Sequence, residues 1–205
     1  LCLVGSEMCI RDSSNSIFLN GNGSSVEGDR PFLDKLNLVK FEREHLFKCD
    51  EFSYEAVVAL LSDDGSEYVT RHETEDEHPN YFVRKVGELE RQPLTEFMDP
   101  AKSLREVQKK LITYERADGV MLNCMLHLPP GYDPENPLPL PTILWAYPRA
   151  YTQGRMAGQV SNSPHRFSTF AGASPRFLAL QGYAVLDQVA MPIVGDPEMA
   201  NDTFT

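Results

Sequence analysis

Between Pro31 and Val86 the chain alternates short apolar-rich runs with turn chemistry. PFLDKLNL, YEAVVALL, SEYVTRHE and NYFVRKV are rich in Val, Tyr, Phe and Leu. These residues suit a pleated, half-buried surface. SDDGS, TEDEHPN and GE separate the runs and supply turn residues. The pattern predicts antiparallel strands, and it recurs. Pro31, Leu38, Glu42, Arg43 and Leu46 are matched by Pro79, Val86, Glu90, Arg91 and Leu94, each pair 48 positions apart. A period of ~40–50 residues built from short strands points to propeller blades. A plain β-sandwich is the alternative reading of the same strands. A single blade cannot bury its own faces, so further blades are expected upstream.

Past about Arg105 the pattern changes. KKLITYERADGVMLNCMLHLPPGY reads as two strands around Ala117-Asp118-Gly119, where the glycine supplies a positive φ. PTILWAYP is nearly continuously apolar, as for a strand buried on both faces of a parallel-type sheet. SPRFLALQG reads as a helix. Ser174 can cap it, Pro175 suits its first position and Gly182 follows its last turn. YAVLDQVAMPI reads as another buried strand. Hairpin, strand, long loop, helix and strand make the opening of an α/β sheet.

The front of the chain, LCLVGSEMCIRDS, stands apart. It lacks a basic n-region, its apolar run is short and Glu7 interrupts it, so it is not a secretory signal. Glu7 to Ser13 can be written as the codons GAG ATG TGT ATA AGA GAC AG, the transposase end sequence used to tag sequencing libraries. Residues 1–13 are therefore expected to be translated adapter, extended or loosely attached. Apart from them, Cys49 and Cys124 are isolated and give neither zinc spacing nor a disulfide framework. Both read as small buried apolar residues. The net charge of −11 argues against nucleic acid and anionic membrane surfaces as partners. No run reaches the ~18 apolar residues of a membrane span. No cofactor and no metal are expected.

GNGSSVEGDRPFLD, LPPGYDPENPLPLPTILWAYPRAY, GQVSNSPHRF, GYAVLDQVAMPIVGD and NDTF, with a Y-x-R-x-D-G hairpin at Tyr114–Gly119, together resemble the prolyl oligopeptidase family of serine peptidases, in its glutamyl endopeptidase branch. The resemblance covers roughly residues 20 to 205. It implies the last blades of an all-β propeller over 14–105, followed by the first part of an α/β-hydrolase domain over 106–205. It also implies Ser-Asp-His acyl transfer on short peptides. Compartment stays open between plastid, periplasm and cytoplasm. An esterase-like α/β-hydrolase and a non-catalytic propeller binding module are the rival readings.

No G-x-S-x-G frame occurs in the chain. Ser24, Ser25, Ser161, Ser163 and Ser174 all lack it, so the nucleophile is expected beyond the C-terminus. His165 and Asp187 precede that nucleophile, and the family's chain order excludes them from the triad. The resemblance leaves one catalytic element here. A Tyr hydroxyl from the loop after the third hydrolase strand often serves the oxyanion hole, and LWAYPRAY offers Tyr147 at the strand end, with Tyr151 as the alternative. Arg149, Arg155 and Arg166 lie in the same region. One of them could pair with an acidic side chain before the scissile bond, since Arg binds carboxylate through two parallel hydrogen bonds. Packing of Tyr147 and solvation of the arginines are the competing readings.

Overall fold

The computed structural model describes residues 8–10, 15–196 and 198–199. They fall into two compact units. Unit 1 takes in the chain up to Ser24, Asp29–Pro100 and His165–Phe167. Unit 2 takes in Ser25–Gly28, Ala101–Pro164 and the chain from Ser168 onward.

Unit 1 contains β1 (Met8–Ile10), β2 (Ser16–Gly21), β5 (Phe32–Asn37) and β6 (Arg43–Lys48); between β2 and β5 the chain forms a small ribbon of β3 (Ser24–Ser25) and β4 (Gly28–Asp29), whose Ser25–Gly28 count with unit 2. β1, β2, β5 and β6 form one antiparallel sheet in that order. A second antiparallel sheet follows as a simple meander of β7 (Tyr54–Leu60), β8 (Glu67–Glu73), β9 (Asn80–Lys85) and β10 (Arg91–Pro93). β5 and β9 begin at Phe32 and Asn80, β6 and β10 at Arg43 and Arg91, and both pairs are 48 apart. The weak sequence recurrence is thus a recurring hairpin at the same place in two sheets.

Phe18 and Leu33 from the first sheet pack with Val57 and Tyr68 from the second, and Leu46, Phe47 and Leu60 close around them. Gly65, in the SDDGS turn, is needed twice over. Its φ is +79°, and a Cβ there would lie 2.3 Å from the Phe18 ring. Met8–Ile10, expected to be extended or loosely attached, form an extended strand paired with Ile17–Leu19. The hydrogen-bonding edge of β2 accepts a short extended segment whatever its origin. Residues 1–7 and 11–14 of that stretch lie outside the described residues.

Unit 2 contains β11 (Gln108–Glu115), β12 (Met121–Leu128), β13 (Thr142–Tyr151), the single turn α1 (Gly154–Ala157), a 3-10 helix at Pro175–Gln181 and β14 (Ala184–Val194). Its sheet has the order β11-β12-β14-β13. The first two pairings are antiparallel and the last is parallel. Arg116 N donates to Val120 O across the hairpin turn, where Gly119 has φ +83°.

Two details differ from the sequence reading. The 175–181 helix has its caps where they were expected. Ser174 Oγ accepts from Arg176 N, Pro175 starts the helix and Gly182 ends it at φ +89°, but its turns are 3-10 rather than α. So short a segment, stopped by a left-handed Gly182, closes i→i+3 bonds. β13 is parallel but not buried. It forms the sheet edge, and only Ile143, Ala146 and Tyr151 are partly covered. β14 lies between two neighbours and buries Ala184, Val185, Asp187 and Val189. Among the described residues no helix is long and apolar enough to cross a membrane.

Candidate active site

Tyr147 lies in mid-strand and not at the strand end, because β13 continues to Tyr151. It stands opposite Ala190 of β14 and is 82% exposed. A side chain so exposed packs little, and its hydroxyl faces water. Tyr151 ends the strand. It packs with Ala190 and Val194 against Val120, Leu122 and Ala157. The two tyrosines therefore differ in kind. One is a displayed phenol and the other a wall of the core.

The pairing of β13 with β14 is interrupted between them. Leu144 stands opposite Leu186 but Ala146 opposite Val189, so Trp145 alone faces both Asp187 and Gln188. Gln188 has φ +52°. This is a β-bulge with its irregular residue in the left-handed region, where a side chain is disfavoured. The register of Tyr147 against Ala190 is a consequence of it.

The three arginines are not brought together as one loop. Arg149 is exposed on β13 opposite Pro192, and Arg155 is exposed on α1. Arg166 belongs to unit 1. There its guanidinium lies 4.7 Å from the Tyr54 ring centroid and its Nε is 3.7 Å from Glu73 Oε1. The buried Glu73 also accepts from Arg71 Nη1 at 2.8 Å and from the backbone N–H of Phe167 at 3.1 Å. Arg166 is thus engaged by a carboxylate of its own unit.

Beside the bulge lies a buried polar cluster that the sequence reading missed. Asp187 accepts from Arg176 Nε at 2.8 Å, and Arg176 Nη1 donates to Thr169 O at 3.1 Å. His127 is 2% exposed with Nε2 3.9 Å from Asp187 Oδ2, too far for a hydrogen bond. Among the described residues neither ring nitrogen of His127 has a hydrogen-bond partner, nor has Asn123 Oδ1. Burial, helped by the Arg176 charge, pushes the imidazole down to about 4, so His127 is neutral at neutral pH. The available signal was spacing. Asn123 and His127 stand four apart in LNCMLHL and share one face of the strand, and Asp187 interrupts the apolar YAVLDQV.

Residues including Tyr114, Leu122, Leu144, Pro148, Met191 and Ile193 line a largely apolar cavity of about 440 Å³ in the same unit. Arg116 stands at its rim. It forks onto Asp118 at 2.8 and 2.7 Å and donates from Nη1 to Pro192 O at 2.8 Å, which ties the hairpin to β14. Its hydrogen bonds hold the Asp118 carboxyl down at about 2. Among the described residues no cluster of His, Cys, Asp and Glu could hold a metal ion.

Two solved structures that share this fold are of an isopeptidase. The AtxE2 isopeptidase with astexin3-dC4 bound is 14% identical with a TM-score of 0.55, and the match covers 96% of this chain and 27% of that one. The apo AtxE2 isopeptidase, also 14% identical, has a TM-score of 0.52 and covers 90% and 25%. At that identity the likeness concerns the fold alone. In sequence, the chain is 37% identical over 204 residues to a protein named probable glutamyl endopeptidase, chloroplastic, of Oryza sativa subsp. japonica, covering 95% of this chain and 22% of the relative. The protein of the same name from Arabidopsis thaliana is 34% identical over 203 residues, covering 94% and 21%. The chain thus spans about a fifth of the length of these curated relatives. No protein-family model matches it.

Proposed function

We propose that the chain is part of a serine-type oligopeptidase of the prolyl oligopeptidase family. In this reading unit 1 contributes two blades of a β-propeller and unit 2 the first strands of an α/β-hydrolase sheet. The observation that carries it is the similarity, over nearly the whole chain, to proteins named glutamyl endopeptidase. Two repeated antiparallel sheets followed by a mixed sheet support the same reading. The catalytic serine, aspartate and histidine come from the parent protein outside this chain. The Tyr147 hydroxyl donates to the oxyanion as the tetrahedral intermediate forms. Arg149 and Arg155, exposed near Tyr147 in sequence, receive an acidic side chain before the cut, while Arg166 answers Glu73. The substrates are short peptides. The relatives' names support a plastid location.

The test is an assay of the full-length parent on chromogenic peptides that differ only at the residue before the cut, with and without a serine-directed fluorophosphonate. A preference for Glu, abolished by the reagent, is expected. Equal rates for Glu, Gln and Pro count against the glutamyl branch, and insensitivity to the reagent against a serine enzyme. Turnover of esters alone selects an esterase. No turnover at all selects a binding module.

A further inference from the structure

We infer that the Arg176–Asp187 ion pair is a positioning device for Tyr147, acting through the bulge at Gln188; the inference rests on the oxyanion role of Tyr147 proposed above. The argument is one of register. Up to Leu144 the strands pair residue for residue with Leu186; after Trp145 they pair one position later, Ala146 with Val189 and Tyr147 with Ala190. Without the extra residue, Tyr147 would meet Val189 and every later side chain of β13 would change its neighbour. A left-handed Gln188 does not persist unless its surroundings hold it. Asp187, immediately before it, is 4% exposed and fixed by Arg176 Nε at 2.8 Å. Arg176 is itself fixed. Its backbone N–H caps onto Ser174 Oγ, its Nη1 reaches Thr169 O, and its helix buries Ala179 against Val185 of β14. His127 is the other titratable group near this carboxylate, and neutral it leaves Arg176 as the cation that faces Asp187. Lys109, on β11, also bears on His127.

The experiment is a double-mutant cycle in the full-length parent enzyme, read as kcat on a short chromogenic peptide with Glu before the cut. Tyr147→Phe is expected to lower kcat about 10²–10³-fold. Arg176→Lys keeps the charge and loses the planar fork. It is expected to lower kcat about 10–100-fold, as a misplacement near 1 Å does, and to raise KM for the acidic peptide as far as Arg149, which follows the same bulge, is displaced with it. The double variant should have a kcat no more than about threefold below that of Tyr147→Phe alone, because Arg176 reaches kcat through that hydroxyl. A merely structural role for Arg176 would multiply the two losses, and that outcome overturns the inference. So does an unchanged kcat in Arg176→Lys. If Tyr147→Phe alone keeps full kcat, the oxyanion role falls first and the inference falls with it, and that pattern distinguishes the two failures. Gln188→Val serves where Arg176→Lys does not fold, since it leaves the pair intact and its β-branched side chain opposes the left-handed φ of +52° that the bulge needs. Its loss of kcat, about threefold or more, must likewise vanish in the Tyr147→Phe background.

Discussion

Arg84 forks onto Glu55. Its Nε donates to Oε1 at 2.7 Å and its Nη2 to Oε2 at 2.6 Å, across β9 and β7 of the second sheet of unit 1. Glu55 is 1% exposed, and it also accepts from Thr70 Oγ1 at 2.5 Å. Breaking such a pair leaves a buried charge without its counter-ion. Glu55→Ala is therefore expected to destabilise unit 1 by about 3–5 kcal/mol in urea denaturation. Glu55→Leu combined with Arg84→Met, which removes both charges and keeps most of the volume, should recover at least half of that. A double variant as unstable as the single one would mean that the pair is a net source of stability.

Gly65 gives a sharper local test. Gly65→Ala introduces a Cβ 2.3 Å from the Phe18 ring at φ +79°. Gly87 has nearly the same φ, +81°, with nothing near its missing Cβ. Gly87→Ala should cost about 1 kcal/mol, the left-handed penalty alone. Gly65→Ala should cost about 1–3 kcal/mol more, from overpacking. Equal midpoints of thermal unfolding would place Phe18 elsewhere.

His127 makes stability depend on pH. Its folded value is depressed to about 4 from an ordinary 6.5, so between those values the unfolded chain binds a proton that the folded chain refuses. Stability is then fully present above about pH 6.5 and falls as the pH drops toward 4. The loss is about 3 kcal/mol in all. His127→Phe should flatten this window in a comparison of melting temperatures from pH 4 to 7. A parallel pair of curves would assign the loss to other groups.

The two tyrosines should separate cleanly. Tyr147→Phe removes an exposed hydroxyl, so melting should shift by less than about 0.5 kcal/mol while kcat of the parent falls about 10²–10³-fold. Tyr151→Ala strips a wall from the cluster of Val120, Leu122 and Ala157 and should cost about 2 kcal/mol or more. Tyr151→Phe should leave kcat within threefold. The reverse pattern would move the oxyanion donor four residues along.

Arg166 should behave as a residue of unit 1. Arg166→Ala removes one of several partners of the buried Glu73 and should lower stability, by about 0.5–1 kcal/mol, without changing the preference for Glu before the cut. Arg149→Ala and Arg155→Ala should do the opposite, raising KM for acidic peptides with melting unchanged. A lost Glu preference in Arg166→Ala alone would return it to the substrate.

The strands of unit 1 were legible because alternation and turn residues are local signals, and the hairpins at Phe32 and Asn80 repeat them. The caps of the 175–181 helix were legible for the same reason. Burial of β13 was not, because an apolar run such as PTILWAYP does not encode whether a strand lies on each side of it. The buried carboxylates Glu55, Glu73 and Asp187 were illegible for a related reason. Each looks like an ordinary polar position until its arginine, 29, 2 or 11 residues away, is placed beside it. Gln188 had no signal at all, since bulges answer to the neighbouring strand and not to the residue.

The chain holds a single tryptophan, Trp145, and it stands on the edge strand opposite the bulge, 56% exposed. It is consequently a built-in optical probe of that one place. Its fluorescence reports the solvent around β13 and is blind to the melting of unit 1, whose aromatic residues are Phe and Tyr. A denaturation curve followed by tryptophan emission and one followed by circular dichroism will therefore measure different events. A blue shift on adding any partner strand or peptide will mark the edge of β13 as the place where it binds.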